Sequence, residues 1–226
     1  MTILAEDLLL LLLDDQRGTV PGQHSDLALG GAVLADLALH EAVTVPEKTR
    51  VWRTARVRAV PGAEVEDPVL REALALVAAK QRSADELVRR LGKGLRPRLG
   101  DRLARQGVLQ RVDERVWGLV PRTRWPALDT SHEERLRRAL TATLVSGAEP
   151  DQRTAALVAL LAAVDRAHRS VDHTGLSNRE VKRRAKEVAE GDWAAKAVRD
   201  AVRAATAATA AATTAAAGGA AAAGSG

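Results

Sequence analysis

The chain has 226 residues, 46% hydrophobic and 28% charged, enough apolar material for a core in one large domain or two small ones. It contains no cysteine, which excludes disulfides, zinc fingers, iron–sulfur clusters and thiol catalysis. A net charge of +5 with a pI of about 10.2 favours polyanionic partners, membrane phospholipid or nucleic acid, without choosing between them.

With four Trp and no Phe or Tyr, the core must be built from Leu, Val and Ala. Leu8 to Leu13 is a leucine run preceded by Glu6 and Asp7, where a secretory signal would carry Lys or Arg. Counted from Ile3 it is 11 residues, roughly 16 Å as a helix against a hydrocarbon core of about 30 Å. It reads as a buried core helix capped by Thr2. A second helix is expected from Ser25 to about His40, with Leu27, Val33, Leu34 and Leu37 on one stripe. Val43 to Val45 and Val51 to Val60 read as an antiparallel pair.

Asp67-Pro68 opens a helix to about Lys80, and Ser83 with Glu86 caps another to Leu91. Gly92-Lys93-Gly94 breaks the chain before a basic helix from about Arg96 to Gln106. Val108 to Val120 reads as a hairpin with Val112 to Arg115 at its turn. Ser131 and Glu134 cap a helix to about Val145, and Ala155 to Val164, the most apolar segment, should be central. Ser177 and Glu180 cap a helix ending at Gly191, and Asp192 caps the last one. The Ala/Thr/Gly-rich stretch from 204 to 226 has no stripe of large apolar residues and is expected to be a frayed or disordered tail, leaving 1–203 as one mainly α domain.

No catalytic constellation emerges. His24, His40, His132, His168 and His173 have no metal-binding spacing, and the last two are five apart rather than four. There is no G-x-S-x-G elbow, and Gly92-Lys93-Gly94 lacks the order of a phosphate-wrapping P-loop. No enzyme, metal, cofactor or small-molecule substrate is expected.

The segment after Arg89 differs: Arg89, Arg90, Lys93, Arg96, Arg98, Arg102 and Arg105 place seven cations within 17 residues. Leu95, Leu99 and Leu103 recur every four residues toward the core, while Arg98, Arg102 and Arg105 share another face. Lys93 and Arg96 flank a helix start, where a positive helix end favours an anion and guanidinium donates two-pronged to phosphate. Two readings fit: a lipid-headgroup pocket on a peripheral membrane protein, or a winged-helix-like nucleic-acid binder using the helix 96–106.

Four segments in register resemble the Golgi phosphoprotein 3 family. They are Thr2-Ile3-Leu4-Ala5-Glu6-Asp7-Leu8-Leu9-Leu10 with Asp15-Gln16-Arg17-Gly18; Leu29-Gly30-Gly31-Ala32-Val33-Leu34-Ala35-Asp36-Leu37-Ala38-Leu39; Leu95 to Leu109; and Ala155 to Ala163 followed by Asp165. The resemblance implies a compact helical fold around a buried apolar helix, with a short β-pair and a projecting β-hairpin. It also implies binding of phosphatidylinositol 4-phosphate on a cytosolic membrane face, as a non-enzymatic adaptor. Of the family's headgroup contacts, the two at the basic helix correspond to Lys93 and Arg96. A third, an Arg, corresponds to Gly30, and the loop Val20-Pro21-Gly22-Gln23-His24 lacks the family's membrane-contacting Trp.

The leading expectation is therefore an anionic phospholipid surface as partner. Lys93 and Arg96 are the headgroup contacts, Arg90 and Arg98 assist, and Val20 and Pro21 touch the membrane. The protein is expected to be cytoplasmic and peripheral on an inner membrane face, with protein clients able to engage the hairpin 108–120. Nucleic acid is the less favoured partner.

Overall fold

In the computed structural model the described residues are 2–14, 17–20, 25–45, 51–116, 120–191 and 199–211. The chain is mainly helical, with two small antiparallel sheets. Helix α1 (Leu4–Leu12) is buried on every side, as a leucine run without a polar face requires. Its cap differs from the expected Thr2. The cap position is Ile3, whose N–H donates to the Glu6 carboxylate at 3.0 Å, while the Thr2 hydroxyl turns to His132.

Helix α2 (Ser25–Leu39) crosses the middle of the molecule. Strands β1 (Val43–Thr44) and β2 (Arg56–Ala59) pair antiparallel as expected, with Val43 opposite Ala59. The second strand is shorter than the expected Val51 to Val60 because Trp52–Thr54 form a 3-10 turn. Sequence reasoning misses β3 (Arg82–Ser83), which lies on the other edge of β2. Two residues carry too little pattern to read. Helix α3 (Pro68–Ala79) is capped by Asp67, whose carboxylate accepts from Val69 N–H at 2.8 Å. Helix α4 (Ala84–Gly92) is capped by Ser83, and α5 (Leu95–Arg105) follows a two-residue break.

Strands β4 (Val112–Val116) and β5 (Val120–Arg124) form the hairpin, with Val116 opposite Val120. This corrects the expected register. Val112 to Arg115 lie in the first strand, the hairpin reaches Arg124, and the closing residues 117–119 fall outside the described residues. Helix α6 (Ser131–Leu144) has Thr130 rather than Ser131 at its cap, and the Thr130 hydroxyl donates to Glu134 at 2.8 Å. Helix α7 (Gln152–Ala163) is central as expected, with Ala155 to Leu161 buried. Helix α8 (Asn178–Glu190) is capped by Ser177. Asp192 and residues 212–226 lie outside the described residues.

The expected tail is corrected at its start. Residues 199–211 are helical (α9), and Ala204, Ala205, Ala208 and Thr209 are fully buried. Alanine needs no large stripe here because its partner surface is equally small: a Cβ on Gly31 of α2 would lie 2.4 Å from Thr209 Oγ1. Small faces meet small faces. Among the described residues, no helix is long and apolar enough to cross a membrane.

Candidate anion-binding site

Two glycines set where the basic segment lies. A Cβ on Gly30 would come 2.1 Å from the Val88 carbonyl oxygen, and one on Gly92 would come 1.9 Å from that of Asp26. Helices α2 and α4 therefore touch backbone to backbone, and α4 stops against the first turn of α2. Gly94 then adopts a left-handed φ of 68° and redirects the chain into α5. The same close approach explains Gly30: no Arg side chain fits there without parting the two helices.

The basic residues have different surroundings. Lys93, at the end of α4, is exposed and forms no ion pair among the described residues. Arg96 is 39% exposed; its Nε lies 3.8 Å from Asp26 Oδ1, too long for a hydrogen bond, and has no hydrogen-bond partner. Arg90 is engaged by Glu86 at 2.8 Å and Arg98 by Glu72 at 2.7 Å. Arg102 is structural. It bridges Glu6 at 3.0 Å and Asp67 at 2.6 Å, joining α1, α5 and the start of α3. With Leu95, Leu99 and Leu103 buried below, α5 is held in the fold rather than laid on its surface.

Arg96 lines a cavity of about 410 Å³ between the end of α1, the start of α5 and β5. Its described walls include Thr19, Val20, Pro97, Arg122, Thr123 and Trp125, and no carboxylate. Val20 thus lines the same cavity as Arg96, while Pro21 falls outside the described residues. Lys93, Arg90 and Arg98 are not among those walls.

The hairpin that supplies Arg122 is anchored at its root. Trp125 N–H donates to the Gly18 carbonyl at 2.8 Å, and Gln110 N–H to that of Pro126 at 2.9 Å. The Trp125 indole donates to Asp101 at 3.2 Å and lies flush on Gly100, where a Cβ would sit 2.6 Å from the ring. Gly18, at φ 61°, leaves room for Pro126 in the same way. The acidic residues of β4 are spoken for. Asp113 accepts from Thr123 at 2.7 Å and from Arg111, which hold its carboxyl below the usual range, and Glu114 lies 2.9 Å from Arg124.

Sequence reasoning also misses a buried ionic cluster at the start of α1. Asp7, fully buried, pairs with His132 at 2.7 Å and Arg153 at 2.6 Å. Asp36 accepts from Leu4 N–H at 2.7 Å, and burial pushes its carboxyl above the usual range. The sequence puts Glu6 and Asp7 near the positive end of α1, but nothing local shows that they are enclosed. Arg122 and Trp125 escape notice for a related reason: only the corrected hairpin register brings them to the root of α5.

A search of curated proteins returned no match. The model of the Golgi phosphoprotein 3 (GPP34) family matches residues 4–205, most of the chain and all of the elements from α1 to α8. The chain belongs to the Golgi phosphoprotein 3 family.

Proposed function

We propose that this protein binds the phosphorylated headgroup of an anionic lipid, phosphatidylinositol 4-phosphate or a lipid of like charge, as a non-enzymatic adaptor peripheral to a cytoplasmic membrane face. The observation that carries the reading is the Arg96 guanidinium, without a hydrogen bond on Nε, in the wall of a cavity with no carboxylate among its described walls. A volume of about 410 Å³ is in the range of small-ligand pockets. Lys93, three residues earlier and exposed, serves as an outer contact, drawing the anion in rather than enclosing it. Arg90 and Arg98 assist only by shedding Glu86 and Glu72, so their contribution is the smaller one. Family membership supports the lipid reading over the nucleic-acid one. The engagement of Arg98 and Arg102 points the same way, since it leaves α5 without a continuous row of unpaired cations.

Co-sedimentation with vesicles containing phosphatidylinositol 4-phosphate tests the site. Each cation near an anionic surface contributes on the order of 1 kcal/mol, so Lys93→Ala/Arg96→Ala should weaken binding by roughly 10- to 30-fold. Unchanged binding in the double variant would show that the headgroup is held elsewhere.

A further inference from the structure

The cavity beside Arg96 contains a second guanidinium, and it comes from the hairpin. We propose that Arg122 is the second cation of the headgroup site, so that β5 and α5 grip one phosphomonoester between Arg122 and Arg96. This rests on the headgroup reading above and names the group that completes it. Arg122 is only loosely engaged within the chain: its Nε lies 3.9 Å from Glu114 Oε1, the oxygen that Arg124 holds at 2.9 Å. Arg96 is equally loosely held, with Asp26 at 3.8 Å. Two weakly paired cations therefore face one cavity whose other described walls are hydroxyl or apolar: Thr19, Thr123, Val20, Pro97 and Trp125. The position of Arg122 is not left to a waving hairpin, because the strand is fastened three residues later, where Trp125 meets Gly18 and Gly100. A phosphomonoester carries close to two negative charges near neutral pH, and a phosphodiester carries one. Two guanidinium groups, held only at 3.8 Å by Asp26 and 3.9 Å by Glu114 and free to turn to a stronger anion, match the monoester. The ligand chemistry is thus a phosphorylated polyol, whether borne by a lipid or free in solution.

The test uses the full chain and three variants, Arg122→Gln, Arg96→Gln and Arg115→Gln. The last removes an exposed hairpin charge that is not among the cavity walls. Probes are vesicles with phosphatidylinositol 4-phosphate, vesicles of matched charge with phosphatidylglycerol, and soluble inositol 1,4-bisphosphate. Removing one charge-assisted hydrogen bond from a binding site weakens binding by about 10- to 100-fold. A drop of that size is expected for Arg122→Gln and Arg96→Gln on the monoester vesicles, with Arg115→Gln within about twofold of wild type. Parallel drops on the soluble probe would locate recognition in the headgroup alone; drops confined to vesicles would assign it to the bilayer-borne lipid, and either supports the role of Arg122. If Arg96→Gln weakens binding while Arg122→Gln behaves like Arg115→Gln, the inference falls and the headgroup reading stands. If the wild type ignores all three probes, both fall. Equal drops for Arg122→Gln on both vesicle types would mean diffuse attraction and overturn the site. Should Arg122→Gln unfold, Arg122→Lys keeps the charge without the two-pronged donation and must still bind several-fold more weakly.

Discussion

Gly30 is where the absence of a side chain lets α2 and α4 touch backbone to backbone. Alanine in a helix interior ordinarily gains about 1 kcal/mol over glycine. Here its Cβ would lie 2.1 Å from a backbone oxygen of α4, and backbone cannot swing aside as a side-chain tip can. Overpacking of this kind costs about 1–3 kcal/mol, which at mid-range outweighs the gain of about 1 kcal/mol: Gly30→Ala is expected to lower stability by about 1 kcal/mol, read as a lower urea midpoint at unchanged slope. Glu6 gives a residue-scale prediction of another kind. Burial raises its carboxyl above 4.5, against the pull of the Ile3 N–H and of Arg102. The folded state then keeps the proton at a pH where the unfolded chain has released it, so this group costs stability as the pH climbs past about 4.5. Glu6→Gln does not titrate. Its unfolding free energy relative to wild type should therefore rise between about pH 4 and pH 7, and a gap that stays flat across that range would refute the assignment.

Helices with a strong local signal are legible from sequence, and elements whose partners lie far along the chain are not. Asp67-Pro68, Ser83 and Ser177 each announce a helix by a capping side chain, and each does cap one. The hairpin register is misread because Asp113 and Glu114 look like turn residues; in the fold they are strand residues tied across to Thr123 and Arg124. Lys93 and Arg96 are visible as a basic pair at a helix break, but the cavity unites Arg96 with Arg122, 26 positions later, which no local pattern links. A last helix is expected after Asp192, but the continuation of α9 over 204–211 escapes notice for want of large side chains, since its docking surface is shaped by Gly31 on α2. That yields an element-scale prediction. Ending the chain after Arg203 removes four buried residues, Ala204, Ala205, Ala208 and Thr209. At about 0.8 kcal/mol per buried methyl-sized group the cost is roughly 3 kcal/mol. Thermal melts of chains ending at 203 and at 211 measure it, and equal midpoints would mean that α9 adds nothing to the core.

At the scale of the whole molecule, the net charge of +5 is a small excess of 34 Lys and Arg over 29 Asp and Glu, and many of the cations lie against carboxylates. Arg90, Arg98, Arg102, Arg111, Arg137 and Arg153 each face a carboxylate within hydrogen-bonding distance. Long-range attraction to a charged bilayer is correspondingly thin, and it fades as the screening length shortens from about 30 Å at 0.01 M salt to about 8 Å at 0.15 M. Ion pairs formed directly inside a cavity are screened far less. Raising the salt should therefore separate the two contributions: binding to phosphatidylglycerol vesicles collapses, whereas binding to vesicles bearing a phosphomonoester headgroup persists. Co-sedimentation at the two salt concentrations reads the ratio directly. A widening preference with salt is what a pocket formed by Arg96 and Arg122 requires. A preference that shrinks in step with overall binding would mean that the bilayer senses only net charge and that the cavity takes no part.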